Sequence, residues 1–261
     1  MLISRLRQTV KQHLPQPIKS MLVSLKYRGA QLPGAETYRS QLKGLSGIEI
    51  GGPSTVFATQ LPVYQVIRRL DGVNFASSTI WEGSVQAGDT YCFHGWKKGR
   101  QYVADATDLS QIQSESYDFL LSSNCLEHVA NPLKAMDEWT RVVKQNGAVF
   151  LVLPNKAANF DHRRPVTQFQ HLLEDYHGNV GEDDLTHLEE ILQLHDLSLD
   201  PPAGDRDSFR KRCLDNFHNR TLHHHVFDTN LIRKIFEHAG LDTIAQQETE
   251  TDFIVLGVKR N

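Results

Sequence analysis

Cysteine is scarce in this 261-residue chain, and the three present, Cys92, Cys125 and Cys213, show no paired spacing. That argues against a disulfide framework or a cysteine-based metal cluster, and reads as free thiols in a reducing, cytoplasmic compartment. Long apolar runs are missing too. None approaches the roughly 18 residues a spanning helix needs, and no apolar signal-peptide core is present. Charge of one sign is also lacking: the net charge of −3 gives no bias toward nucleic acid or strongly acidic partners. What remains is 39% hydrophobic content over a length that suits one large domain, or one domain plus a cap.

The first segment, residues 1–45, is basic at its start. Arg5, Arg7, Lys11, Lys19, Lys26 and Arg28 precede the first acidic residue, Glu36, while Ile18, Met21, Leu22 and Leu25 make an apolar helical face. Pro15 and Pro17 break the stretch into short pieces. The expectation is a leading helix packed on the sheet or on a partner subunit. Weak contact with an anionic membrane surface is the alternative. The oligomeric state is left open.

The strongest signal runs from Tyr117 to Pro154. Phe119–Leu121 is a short buried strand; the polar loop SSNCLEHV follows. Leu133, Met136, Trp139, Val142 and Val143 then recur at helical spacing. Asn146-Gly147 is expected to end that helix, and Ala148–Leu153 is a second apolar run closed by Pro154. Two buried strands joined by a helix imply a parallel βαβ unit. In open sheets of that kind ligands sit beyond the carboxyl ends of the strands. That places Asn124, Glu127 and His128 at a ligand site.

Read as a string, YDFLLSSNCLEHVANP…RVVKQNG…VP closely resembles the second half of the class I S-adenosylmethionine-dependent methyltransferase domain. The turn Lys144-Gln145-Asn146-Gly147 lacks that family's Pro and first Gly, and Asn146 can take the left-handed conformation instead. The resemblance implies roles for earlier residues. Glu49, Gly51 and Gly52, after the apolar strand Ile48–Ile50, match an acidic residue and a glycine turn that orient the methionine end of S-adenosyl-L-methionine; a plain tight turn is the rival reading. Asp71 lies 20 residues beyond Gly51, at the end of an expected strand Val66–Leu70, and suits a carboxylate on the ribose hydroxyls. Glu82 is its competitor, and a simple Asp71-Gly72 turn is the alternative. Asp105 and Ala106 match the pair that meets the adenine ring. Downstream, Asp228, Leu231, Ile232, Ile235, Phe236 and Ala239 give a capped helix ended by Gly240, and two further strands follow.

The expected fold is therefore α/β: a Rossmann-like, mixed seven-stranded sheet with helices on both faces. Residues 46–154 form the cofactor-binding core, 223–261 complete it, and 155–222 are a helical lid. That last region, with the adjoining triplet, holds nine of the chain's thirteen histidines. Asp184, His187 and Glu190 share a polar helical face, and His171 and Asp175 stand four apart. These spacings suit ligands but equally suit solvated faces, so no metal is assigned. Arg163 and Arg164 either hold an anionic group of the acceptor or pair with the lid's own carboxylates. In the triplet His223–His225, one or two residues are expected to pack and the rest to face solvent.

The expected activity is methyl transfer, at oxygen, to a small-molecule or glycan acceptor, with no nucleic-acid partner. Alignment does most of such work, and an oxygen acceptor also needs a base near neutrality. His128 in the loop and Asp161-His162 at the start of the lid are the candidates. A noncatalytic partner module of the same fold, and a metal-dependent hydrolase site in the lid, are the rival readings.

Overall fold

A computed structural model describes residues 31–95 and 97–260. The basic amphipathic face at Ile18–Leu25 lies outside them. The chain divides into two compact units, which follow one another in sequence at Asp105 and Ala106.

The first unit opens with helix α1 (Ala35–Leu42) and strand β1 (Ser46–Ile50). Strand β2 (Arg69–Asn74) lies parallel to β1, with Ile48 opposite Asp71 and Ile50 opposite Val73. The small hairpin β3 (Ser78–Thr79) and β4 (Gly83–Ser84) follows. Strands β5 (Gly88–His94) and β6 (Lys97–Val103) complete the unit, giving the order β5-β6-β2-β1. The expected strand Val66–Leu70 is displaced by three to four residues. Val63–Gln65 is a short 3-10 turn, Arg68 and Arg69 stay exposed, and the buried run begins at Leu70. Asp71 and Gly72 are thus inside a strand rather than in a turn. A Cβ on Gly72 would lie 2.1 Å from the Tyr91 ring, so this glycine is the space into which that tyrosine packs.

The second unit begins with β7 (Tyr117–Ser123), helix α2 (Pro132–Val142) and β8 (Val143–Pro154), the parallel βαβ unit expected. Asn131 caps α2 by accepting from the Lys134 amide at 3.1 Å, with Pro132 in the first turn. The helix ends at Val142, four residues before the expected Asn146. Tyr117 pairs with Val143 but Phe119 pairs with Ala148, so the intervening residues bulge out of the ladder, and Asn146 sits at φ 59°. The left-handed residue expected to stop a helix instead shapes a bulge.

Beyond β8 come α3 (Phe169–Gly178), α4 (Leu188–Leu194) and α5 (Arg206–Leu214). Leu188, Ile191, Phe209, Cys213 and Leu222 give this insertion its own small core. It is bound closely to α2. Asn131 donates to the Asp175 carbonyl at 2.9 Å, the Ala130 amide to Glu182 at 3.1 Å, Lys134 to Asn179 at 2.7 Å and Tyr176 to Asp137 at 2.6 Å. Helix α6 (Thr229–His238) is capped by Asp228 as expected, and Gly240 follows at φ 70°. Strands β9 (Leu241–Glu248) and β10 (Asp252–Lys259) then give the order β7-β8-β10-β9, with β10 antiparallel to both neighbours. The architecture is mixed α/β and Rossmann-like. It has four main strands in each unit rather than seven in all; the addition is β5, which runs antiparallel to β6.

Candidate active site

In the first unit the residues expected to meet the cofactor lie in or just after β1, β2 and β6. Gly51 follows β1 at φ 80° and its amide donates to the Val73 carbonyl at 2.9 Å. Glu49 is wholly buried. It accepts from the Tyr64 hydroxyl at 2.5 Å, the Tyr91 hydroxyl at 2.6 Å and the Ser54 amide at 3.1 Å. Burial raises its carboxyl pKa, and the three hydrogen bonds oppose that rise. Both tyrosines are pushed well above their usual range by burial and by the Glu49 charge, which keeps their protons in place as donors. A Cβ on Gly52 would fall 2.3 Å from the Glu49 carboxyl carbon and 2.4 Å from the Tyr91 oxygen. The acid and its glycine therefore build the loop from within. The expected part of Glu49 in orienting the methionine end of the cofactor would be exercised from a buried position.

Asp71 is corrected by the register. It lies three residues before the carboxyl end of β2, where its Oδ1 accepts from Arg69 Nε at 3.0 Å and the Arg100 amide at 2.8 Å. The residue at that end is Asn74. Its side chain donates to the Gly52 carbonyl at 3.0 Å and its own carbonyl accepts from the Ala104 amide at 3.0 Å, tying the ends of three strands. The 20-residue spacing selects the first acid after the glycines, while the apolar run continues through Val73. Asp105 lies two residues beyond β6, in the loop expected of it. In the second unit the Ala106 carbonyl accepts from Trp139 Nε1 at 2.9 Å.

The loop after β7 behaves as expected in position. Asn124, exposed and at φ 47°, donates its amide to the Val152 carbonyl, and Leu126–His128 is a single 3-10 turn. Glu127 is 1% exposed, and its Oε2 has no hydrogen-bond partner among the described residues. Burial pushes its carboxyl up to about 7, against the opposing pull of His223. His128 places Nδ1 3.1 Å from the Leu222 carbonyl, which assigns the proton to that nitrogen. Burial, then His223, holds its pKa well below the ordinary value, so the ring is neutral.

Facing these is a residue the sequence reading did not single out. His223 places Nδ1 2.6 Å from buried Asp161 Oδ2, and its ring meets His128 edge to face at 4.5 Å. Ligand-type atoms of Glu127, His128 and His223 all lie within 4.8 Å of one another. Burial alone would lower the His223 pKa, but the Asp161 charge and hydrogen bond outweigh it and raise it. Asp161, penalised by burial, is nevertheless pulled down to about 2 by His223 and Arg164. No local period links residues 62 apart; the signal was the triplet itself. None of its members is left to solvent: His224 and His225 are buried, and His223 is largely covered.

His162 does not join this cluster. It is exposed and lies 3.0 Å from Asp196, which Arg163 also contacts at 2.6 Å. Arg164 is buried and donates to Asp161, Glu190 and the carbonyls of His223 and His224. Both arginines are thus spent on the insertion's own groups. The trio Asp184, His187 and Glu190 also separates: Asp184 accepts from Thr186, Glu190 from Arg164, and His187 turns to His171.

Residues 73–151 match the family described as a methyltransferase domain. No curated protein matches the chain. Among solved structures it is similar to an S-adenosylmethionine-dependent methyltransferase from Mesorhizobium loti, at 12% identity and a TM-score of 0.50, covering 87% of this chain and 98% of that one. It is also similar to one from Methanosarcina mazei, at 15% identity and a TM-score of 0.49, covering 88% and 99%. At these identities the likeness is one of fold alone. The family match makes residues 73–151 a methyltransferase domain, for which S-adenosylmethionine is the implied methyl donor. Among the described residues no helix is long and apolar enough to cross a membrane.

Proposed function

We propose that this class I methyltransferase acts at an oxygen of a small-molecule or glycan acceptor, with His223 as the general base and Asp161 as its positioning residue. The observation that supports this is the buried Asp161–His223 pair at 2.6 Å, set beside the orphaned oxygen of Glu127. With Nδ1 held by Asp161, Nε2 is the ring nitrogen available to an acceptor hydroxyl. A carboxylate partner both fixes the ring and stabilises the imidazolium formed on proton uptake.

Bound S-adenosylmethionine supplies a methyl group made electrophilic by the sulfonium. Methyl transfer to an acceptor oxygen would release the hydroxyl proton, and His223 Nε2 would take it. Glu127 suits a cationic ligand: a buried oxygen without a donor is expensive unless a positive group meets it. In the first unit, Gly51, Gly52, Asn74 and Asp105 are the residues proposed to line the cofactor. In the second unit, Ala106, Asn124 and Glu127 are proposed to do so. His128, held neutral, is proposed to shape the wall beside His223.

The test separates binding from chemistry. Acceptors with hydroxyl, amine and carboxyl groups are screened by mass gain of one methyl group. His223→Gln is then compared with the parent. The expected result is a turnover loss of about 10²–10⁴-fold, the usual contribution of a general base, with S-adenosylhomocysteine affinity by calorimetry little changed. Transfer confined to nitrogen or carbon, or undiminished turnover in His223→Gln, would overturn the proposal.

A further inference from the structure

On the far side of the histidine triplet a second cluster assembles from parts that share no sequence motif. His171 and Asp175 stand four residues apart on α3 and so face the same way. His187 sits at the amino-terminal boundary of α4. His225 comes from the segment that returns from the insertion. His171 Nε2 lies 2.9 Å from His187 Nε2 and 3.3 Å from Asp175 Oδ2, and His225 Nε2 lies 3.1 Å from the same Asp175 oxygen. One ligand-type atom from each of the four residues falls within 4.8 Å of all the others.

We propose that His171, Asp175, His187 and His225 form a binding site for one divalent transition-metal ion, zinc being the best match. Three imidazole nitrogens and one carboxylate oxygen are a donor set typical of zinc, and of iron or cobalt in the same charge state. Tetrahedral zinc bonded at about 2.0–2.1 Å places its ligand atoms roughly 3.3 Å apart. The spacings of 2.9, 3.1 and 3.3 Å fit such a shell with small adjustments.

Protons alone serve this arrangement poorly. If His171 carries hydrogen on Nε2, that one hydrogen is divided between His187 and Asp175. If it does not, its lone pair faces a carboxylate oxygen. A single cation satisfies all four donors at once. The access also fits. Asp175 and His225 are buried, whereas the His171 side chain is 33% exposed, giving an ion a way in from solvent. The Asp175 backbone is itself fixed, its carbonyl accepting from Asn131 and from the Val180 amide. An ion here would bind α3, the start of α4 and the return segment together.

This inference does not depend on the acceptor or the base proposed above. Its test uses the full-length protein, stripped with a chelator and shown by circular dichroism to remain folded. Zinc is titrated by calorimetry, and cobalt by its visible absorption. The expected result is one ion per chain, with intense cobalt bands of tetrahedral type. His171→Asn and His187→Asn, both at half-buried positions, should each weaken binding at least about tenfold, the loss that even outer-shell changes around a metal produce. His223→Gln should leave the ion bound. Folded protein that takes up no stoichiometric ion, or that binds equally well in His171→Asn and His187→Asn, would overturn the site. An ion lost in His223→Gln but kept in His171→Asn would move it to Glu127, His128 and His223.

Discussion

Glu49 in the first unit and Glu127 in the second are the same residue type at the same depth, yet they are satisfied in opposite ways. Glu49 gathers two tyrosine hydroxyls and a backbone amide; Glu127 has a buried oxygen that nothing among the described residues meets. A buried carboxylate that the protein satisfies is part of the scaffold. One that it leaves short calls for a partner from elsewhere, such as a water, an ion or a ligand. Burial by itself therefore does not separate a building residue from a working one; the donors around it do.

The sharpest way to break the contrast is Glu49→Ala. It strands the Tyr64 and Tyr91 hydroxyls in the interior, and the expected loss is about 4 kcal/mol, from two or three hydrogen bonds to a charged acceptor. Urea denaturation reads this directly. A loss below about 1 kcal/mol would show that the cluster is not structural.

Glu127→Gln should do the reverse, and its effect should depend on pH. The folded chain holds the Glu127 carboxyl at about 7, above its ordinary 4.5, so the folded state binds that proton more tightly than the unfolded state. The resulting stability is intact below pH 4.5 and is lost as pH rises through 7. The glutamine carries no such penalty. Its advantage over the parent should grow between pH 5 and 8 toward about 3 kcal/mol, measured as the difference in unfolding free energy. A pH-independent difference would place the carboxyl at an ordinary pKa.

The smallest expected effect sharpens the comparison inside the first unit. Asp71→Ala should cost about 1 kcal/mol, because the Arg69 partner is half exposed, and should leave S-adenosylhomocysteine affinity within about twofold. Asn74→Ala should lower that affinity more, since it frees the loops at the ends of β1 and β6. Calorimetry showing the opposite order would return the ribose role to Asp71.

What was legible in the sequence follows from how local its cause is. The βαβ unit from Tyr117 to Pro154 and the Asp228-capped α6 announce themselves through period, cap and turn within a dozen residues. The boundary errors share one physical source: tertiary pairing moved β2 toward Asn74, and a bulge claimed Asn146 after α2 had ended. The acid at position 49 is visible, but its partners are not, because Tyr64 and Tyr91 lie 15 and 42 residues away. Asp161 was visible at the start of the insertion, while its partner lay hidden in a histidine triplet whose three members look alike on paper. In the fold they diverge: His223 turns to Asp161, His224 to Asn216 and His225 to Asp175.

The hydrogen bonds that fasten the insertion to α2 have a kinetic consequence. A hinged flap exchanges its amide protons far faster than the body it covers, because it opens on its own. Here α3 is held to α2 through Asn131, Lys134 and Asp137 at once, so the two helices should open together and their slowest amides should exchange at similar rates. A cover that swung free of α2 would instead show its α3 amides exchanging first.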